Sequence, residues 1–146
     1  MDSATTDPGF RTLVEYFAAL EARDMDALLA CFTDDVRYQH PPYGLAGHPG
    51  HEDDDPEAWN EARGKDALRG LFEFRGDHPG FTHHITTFAR DRDVCMIQGY
   101  TATDGKPNEM TFMAAARVDE TGLISEYQPY FWRDHRPIIG DQSPLH

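Results

Sequence analysis

Two side chains with acid–base chemistry stand at the end of one short alternating segment, residues 36–40. Because successive strand residues point to opposite faces, Val36, Tyr38 and His40 are predicted to share one face. His40 can take up or release a proton near neutral pH, and an apolar pocket would keep it neutral and available as a base. The alternative is a strand-end histidine that only bonds a loop carbonyl. Tyr38 is expected to be a polar group of the same pocket, or only to orient His40.

A second polar cluster, residues 48–55, combines His48 and His51 with four acidic residues. Histidine and carboxylate can ligate zinc or iron, so a metal site is one interpretation. The spacing matches no tight ligand motif, and glycine and proline separate the candidates. A solvated acidic loop is the preferred interpretation, and neither a metal nor a cofactor is expected.

The two cysteines, Cys31 and Cys95, lie within apolar patterns and lack the spacing of a redox or metal motif. Buried free thiols are predicted. A disulfide and a nucleophile are the alternatives.

Helical spacing of apolar residues predicts three helices that must position these groups. The first follows a cap at Thr6 or Asp7, with Pro8 in its first turn. The second, capped by Asp24, covers residues 25–32. The third follows residues 64–66. The apolar faces of the three consist of Phe10, Leu13, Val14, Phe17 and Leu20; Met25, Leu28, Leu29 and Phe32; and Leu68, Leu71 and Phe72.

The remainder of the chain alternates between apolar runs and turn residues. These runs predict an antiparallel meander. Helices followed by hairpins indicate the α+β class, not a parallel α/β sheet. The predicted strands of the meander are residues 81–90, 94–102, 110–118 and 123–132.

Length and charge limit the domain count and the class of partner. A chain of 146 residues fits one domain, 1–146. Its formal net charge of −13 excludes nucleic acid and anionic membranes as partners, because both would repel it. No apolar run reaches the length of a membrane span, and the acidic N-terminus does not resemble a signal peptide, so a cytoplasmic location is predicted.

In two segments the apolar residues follow neither helical nor strand spacing. Residues 41–62 are rich in Pro, Gly, His and acid, and so long a connection in a small domain is typical of a lid or mobile loop. Residues 136–146 are predicted to form an irregular tail.

The sequence VEYFAALEARDMDAL at residues 14–28, followed by CFTDDV at 31–36, resembles the opening of nuclear transport factor 2-like proteins. ARGKDAL at 62–68 is similar to the start of their third helix, and RVDETGLI at 117–124 to their last hairpin. The resemblance covers about residues 8–134. It implies a cone-shaped α+β barrel, with three helices packed on a curved mixed or antiparallel sheet around one pocket.

The resemblance also assigns candidate roles around that pocket. In ketosteroid isomerases a first-helix tyrosine donates a hydrogen bond to the developing oxyanion, and Tyr16 matches it. Tyr16 has helical partners Leu13 and Leu20, so the alternative is a core residue with a satisfied hydroxyl. His40, before Pro41, matches their aspartate base. Their second acidic donor falls on Ala114, so the full steroid apparatus is missing.

Dehydratases similar to scytalone dehydratase, and SnoaL-like proteins, have a histidine near the start of the second strand. His83 and His84 both fit, and His83 is preferred as an auxiliary donor or as a partner of His40. Packing or an exposed position is its alternative. The aspartate base of SnoaL-like cyclases has no clear counterpart, and Glu126 is the nearest acid on the last strand.

Aromatic residues are numerous enough that several are predicted to line the pocket as well as the core. Tyr127 and Phe131 share a face if the last strand alternates, and Pro129 between them suggests a bulge or an edge. The predicted substrate-binding residues are Phe17, Tyr43, Trp59, Phe72, Phe112, Tyr127 and Phe131.

The preferred function is a cofactor-independent enzyme of the polyketide cyclase or isomerase type, acting on a small hydrophobic organic substrate in natural-product biosynthesis. His40 is the predicted acid/base and Tyr16 the oxyanion donor, with Tyr38 and His83 as auxiliary groups. A non-catalytic binding or scaffold protein and a dehydratase are the alternatives. Relatives commonly pair through the outer sheet face, so the resemblance implies a homodimer.

Overall fold

The computed structural model describes residues 6–76 and 80–132, apart from the side chains of 107–109. Three helices pack on a six-stranded mixed sheet, as the resemblance implied. The predicted irregular tail, 136–146, lies outside the described residues. The helices are α1 Pro8–Ala22, α2 Met25–Leu29 and α3 Lys65–Arg75, and the strands are β1 Phe32–His40, β2 Asn60–Arg63, β3 Phe81–Asp91, β4 Val94–Thr103, β5 Lys106–Val118 and β6 Ile124–Trp132.

Side-chain caps determine where the first two helices begin. The Asp7 carboxylate accepts hydrogen bonds from the backbone N–H groups of Gly9 and Phe10, which would otherwise lack partners. Asp24 caps α2 through the N–H of Ala27. Of the two residues proposed to cap α1, Asp7 is therefore the one that does so, and the prediction for Asp24 is confirmed.

The sheet order is β2-β1-β6-β5-β4-β3. Strands β3 to β6 form the predicted antiparallel meander. β1 joins this meander by pairing parallel to β6, with Tyr38 opposite Tyr127. Because β2 and β3 form the two edges, the sheet curves around the helices into an open cone and does not close into a barrel.

β5 begins at Lys106 instead of residue 110, and two further predicted boundaries were wrong. Phe32 does not continue α2, which ends at Leu29, but begins β1, where it pairs with Ile124 and is fully buried. The connection after β1 ends at residue 59 instead of 62, because residues 60–63 form β2 and pair antiparallel with β1. Sheet pairing, which depends on distant partners, overrode the local pattern at both places.

The core lies between the helices and the concave face of the sheet. Cys31 and Cys95 are buried free thiols, as predicted. Pro129 lies inside β6, just past Tyr127, where the pairing with β1 ends. Proline has no backbone N–H to donate, and at Pro129 β6 pairs only with β5. This position therefore fits the predicted edge. No helix within residues 6–76 and 80–132 has the length and apolar character needed to cross a bilayer.

Candidate functional site

A cavity of about 230 Å³ lies between α1, β1, the end of α3 and the concave face of β3, β5 and β6. Nine of the eleven predicted site residues line it. These nine are Tyr16, Phe17, Tyr38, His40, Tyr43, His83, Phe112, Tyr127 and Phe131. The sequence pattern therefore located the cavity, while the chemical role of each residue stays a prediction.

His40 lies at the end of β1, on the same face as Tyr38, and its ring packs between Tyr43 and Phe131 at centroid distances of 4.1 and 5.2 Å. Its Nδ1 lies 2.6 Å from the carbonyl oxygen of Pro41. Because a carbonyl only accepts, Nδ1 carries the proton and Nε2 is left as an acceptor. His40 thus bonds a loop carbonyl and also lines the cavity; its role as an acid or base stays a prediction.

Burial lowers the pKa of His40 to about 4, and the positive charge of Arg75 acts in the same direction. The hydrogen bond to Pro41 opposes this shift only in part. His40 is therefore neutral at physiological pH. A neutral imidazole with a free Nε2 is suited to accept a proton, not to donate one.

The hydroxyl groups of Tyr16 and Tyr38 are hydrogen-bonded to each other at 2.9 Å, with both side chains buried. One hydroxyl donates to the other, and the acceptor hydroxyl keeps its own proton free for a ligand. Burial raises the pKa of Tyr16 to about 12 and that of Tyr38 well above its ordinary value. The pair therefore stays protonated and can act as a hydrogen-bond donor throughout the physiological range.

Tyr43 brings a third hydroxyl to this end of the cavity. The hydroxyl is buried and lies near that of Tyr38, yet it makes no hydrogen bond of acceptable geometry with any residue in the described part of the chain. An unpaired buried hydroxyl costs free energy. A ligand oxygen in the cavity would supply the missing partner.

His83 faces the cavity and His84 does not, which decides between the two candidates. The His83 side chain is 7% exposed and stacks on Phe17 with ring centroids 4.4 Å apart. His84 stacks instead on Tyr100, on the opposite face of the sheet, and its Nε2 lies 3.0 Å from the hydroxyl of Thr82. The pairing of His84 with Tyr100 across β3 and β4 fixes this parity.

Sequence reasoning did not identify the partner of His83, which is Glu21. One carboxylate oxygen of Glu21 accepts hydrogen bonds from the backbone N–H and from Nδ1 of His83, at 2.7 and 3.0 Å. Burial lowers the pKa of His83, and the carboxylate opposes that shift without reversing it. Glu21 follows Phe17 by one helical turn, so the sequence did place both on one face of α1.

Arg75 is the second residue that sequence reasoning missed. It ends α3 and contributes a guanidinium group to the cavity wall. Arg75 is three positions after Phe72, which was predicted to line the cavity. Residues three apart lie on the same face of a helix, so this spacing could have identified Arg75.

Three predicted or considered positions lie elsewhere. Trp59, predicted to bind substrate, is 43% exposed and packs against Tyr130 outside the cavity. Phe72 is buried behind the cavity wall, against the rings of Tyr16 and Tyr38. Glu126 is on the outer face of the sheet, where it pairs with Arg117 at 2.7 Å, so it is not the missing acid of the site.

The acidic segment 48–55 forms turns of its own. His51 pairs with Asp54 at 2.8 Å and packs on the edge of the Phe74 ring. Within residues 6–76 and 80–132, no three His, Cys, Asp or Glu side chains converge on a common point where they could hold a metal ion.

Fold and site together define an α+β cone with an aromatic cavity that contains neutral histidines and protonated tyrosines. The sequence matches the SnoaL-like domain family over residues 13–127. The chain belongs to this family. A search of the curated proteins found no significant match.

Solved structures share the fold. An NTF2-like protein of unknown function from Burkholderia pseudomallei superposes with a TM-score of 0.62 at 17% identity, over 86% of this chain and 92% of that one. A "putative polyketide cyclase" from Sinorhizobium meliloti superposes with 0.59 at 16% identity, over 88% and 100%. An LEH-like epoxide hydrolase from M. tuberculosis superposes with a TM-score of 0.59 at 18% identity, over 86% of this chain and 83% of that one.

Proposed function

We propose that the protein is a cofactor-independent enzyme of the cyclase or isomerase type. It removes and returns a proton beside the carbonyl group of a small, mainly apolar compound. The observation that carries this proposal is the hydrogen bond from His40 Nδ1 to the Pro41 carbonyl. That bond leaves an unprotonated Nε2 in the same cavity as the Tyr16–Tyr38 pair.

His40 takes the role of general base. With a pKa of about 4, it is unprotonated at neutral pH but is a weak base. A weak base removes a proton from carbon only if the resulting enolate is stabilised at the same moment. The substrate must therefore meet a hydrogen-bond donor at its carbonyl oxygen.

The Tyr16–Tyr38 pair takes the role of that donor. The hydroxyl that accepts within the pair is a stronger donor to a ligand, because linked hydrogen bonds polarise one another. Burial keeps water from competing for the same oxygen. In a cyclase, the enolate held there would attack a second carbonyl carbon of the same molecule. The proton taken by His40 would then return to the new alkoxide.

The cavity size supports a small substrate. Pockets for drug-sized ligands span roughly 300–1,000 Å³, and the cavity here has about 230 Å³. One or two rings fit within it. The rings of Phe17, Phe112 and Phe131 would hold them in one folded conformation, which favours ring closure over other outcomes.

The paired His83 and Glu21 favour dehydration as a second candidate. In that reaction His40 removes a proton from carbon, and His83 takes up a proton from solvent and donates it to the departing hydroxyl group, so that water leaves. The Glu21 carboxylate would stabilise the protonated form of His83. The description of the Sinorhizobium meliloti protein as a cyclase supports the first candidate at the level of the fold only.

Exchange of the α-protons of 2-tetralone, a small bicyclic ketone, in deuterium oxide tests the proposal. We expect the wild type to accelerate the exchange over buffer and His40→Gln to lose about 100-fold or more of that acceleration. The affinity for the ketone should stay within twofold. His84→Gln, on the other face of the sheet, is the matched control and should keep the wild-type rate. Equal acceleration by wild type and His40→Gln would rule out His40 as the base, and a wild-type rate equal to that of buffer would overturn the proposed function.

A further inference from the structure

Arg75 brings a fixed positive charge to a cavity that is otherwise aromatic and neutral. It is half-buried at the C-terminal end of α3. Of the described residues that line the cavity, it is the only arginine or lysine. It also lines a small adjoining recess with Leu20, Glu21 and His83.

The guanidinium group of Arg75 has no anionic partner within the described parts of the chain. No carboxylate there lies within 4.0 Å of it, and its recorded contact is with the ring of Tyr43, whose centroid is 5.8 Å from the guanidinium carbon. Arginines elsewhere do find carboxylates: Arg90 pairs with Asp7, and Arg117 with Asp93, both at 2.8 Å. In a chain with a net charge of −13, carboxylates are plentiful. A half-buried guanidinium with no carboxylate partner among the described residues is therefore a site where an anion gains more than it would at the open surface.

The positive charge of Arg75 affects the pKa values of the tyrosines and histidines that line the cavity. Burial raises the pKa of Tyr16 and of Tyr127, and Arg75 opposes that rise; it also adds to the effect of burial in keeping His40 and His83 unprotonated. Arg75 thus offsets part of the cost of placing a negative charge in this buried cavity, although the protein as a whole is strongly acidic.

We propose that Arg75 binds an ionised carboxylate on the ligand, so that the substrate is a cyclic or aromatic carboxylic acid. This inference rests on the proposed function only in taking the cavity as the place where the substrate binds. The planar fork of the guanidinium matches the two oxygens of a carboxylate. The apolar rings of the ligand would lie against Phe17 and Phe112, which line the same cavity.

The ring of Tyr43 helps to hold the guanidinium in place. A cation over an aromatic face is stabilised there without losing its hydrogen-bond donors at the edge of the fork. Arg75 therefore keeps its donors free for the ligand while its position is fixed. The site would select against the uncharged amide or ester of the same acid.

Calorimetric titration with 2-naphthoate and 2-naphthamide tests the proposal, because the two probes have the same rings and nearly the same size but differ in charge. We expect the wild type to bind naphthoate at least tenfold more tightly than naphthamide. Arg75→Gln should reduce this preference to less than twofold and leave the affinity for naphthamide unchanged. Arg75→Lys keeps the charge without the fork and should give an intermediate preference, which also guards against misfolding of a single variant.

Arg69→Gln is the matched control. Arg69 is on the same helix and pairs with Asp26 across an exposed gap of 3.6 Å, so the substitution removes one positive charge from the surface. It should keep the tenfold preference. Equal affinity of the wild type for both probes, no binding of naphthoate up to millimolar concentration, or a preference that survives in Arg75→Gln would overturn the proposal. Since the titration needs no turnover, its result is independent of whether His40→Gln loses proton exchange.

Discussion

A single carboxylate oxygen of Glu21 accepts hydrogen bonds from both the backbone N–H and Nδ1 of His83. The Glu21 carboxylate keeps the proton of neutral His83 on Nδ1, just as the Pro41 carbonyl keeps that of His40 on Nδ1. Both histidines of the cavity therefore have Nε2 as their free acceptor. The two histidines are thus held in the same tautomer by acceptors of the chain itself, and His40 is the one that serves as the base in the proposed function.

Replacing Glu21 by Gln should weaken the hydrogen bonds that hold the His83 ring in place. The neutral amide accepts more weakly than a carboxylate, so we expect a loss of about 1–2 kcal/mol in the free energy of unfolding. The pKa of His83 should fall further, because the charge that opposes the burial shift is gone. Urea denaturation and an NMR titration of the histidines measure the two effects. Glu15→Gln, at an exposed position of the same helix, should change neither, and an unmoved His83 pKa in Glu21→Gln would contradict the assignment.

The tyrosine hydroxyls should differ in their contribution to stability. Tyr16→Phe removes the hydrogen bond to Tyr38 and should cost about 1 kcal/mol. Tyr43→Phe removes a buried hydroxyl that has no hydrogen-bond partner within residues 6–76 and 80–132, so it should be neutral or stabilising. Midpoints of urea unfolding compare the two variants directly. Equal destabilisation would mean that the Tyr43 hydroxyl is satisfied in solution.

Gly99 should tolerate no side chain. A Cβ at this position of β4 would overlap the carbonyl oxygen of His84 and the ring of Phe112. Gly99→Ala should therefore destabilise the protein by about 1–3 kcal/mol. Gly70→Ala, on α3 with no atom within 4 Å of the added methyl group, should stabilise it by about 0.5–1 kcal/mol. Thermal unfolding midpoints check both variants: that of Gly99→Ala should be lower than wild type and that of Gly70→Ala higher. An unchanged midpoint for Gly99→Ala would contradict the tight contact between β3 and β4.

Much of the fold and the cavity could be predicted because the relevant patterns are local. Alternation in residues 36–40 placed Tyr38 and His40 on one face, and the structure confirms it. Apolar spacing on α1 gave the buried face that includes Tyr16 and Phe17. Periodicity and caps are short-range properties of the chain, so they are readable without knowing which strands will pair.

What could not be predicted depends on contacts between distant segments. Glu21 and His83 are 62 positions apart, and no local pattern links them. Trp59 has the composition of a cavity residue, yet the pairing of β2 with β1 carries it to the outside. Phe32 continued the helical spacing, but pairing with Ile124 placed it in a strand.

The outer face of the sheet is the place where we propose that two copies pair. Met96, Tyr130 and Trp132 have side chains that are 48%, 43% and 50% exposed, and their partners across β4, β5 and β6 lie on the same outer face. Sedimentation should give twice the 16.6 kDa of one chain. Tyr130→Glu should shift the mass towards the monomer, whereas Arg69→Glu, on α3, should not. A monomeric wild type at micromolar concentration would refute the pairing.

The pH dependence of α-proton exchange tests the central claim, that neutral His40 is the base, most directly. In the wild type, kcat/KM for 2-tetralone exchange should rise with pH through an apparent pKa of about 4, as His40 loses its proton. It should then stay level until Tyr16 begins to ionise near its pKa of about 12. In His40→Gln the rise should disappear. A midpoint near the ordinary histidine value of about 6.5, or the same profile in His40→Gln, would contradict the account.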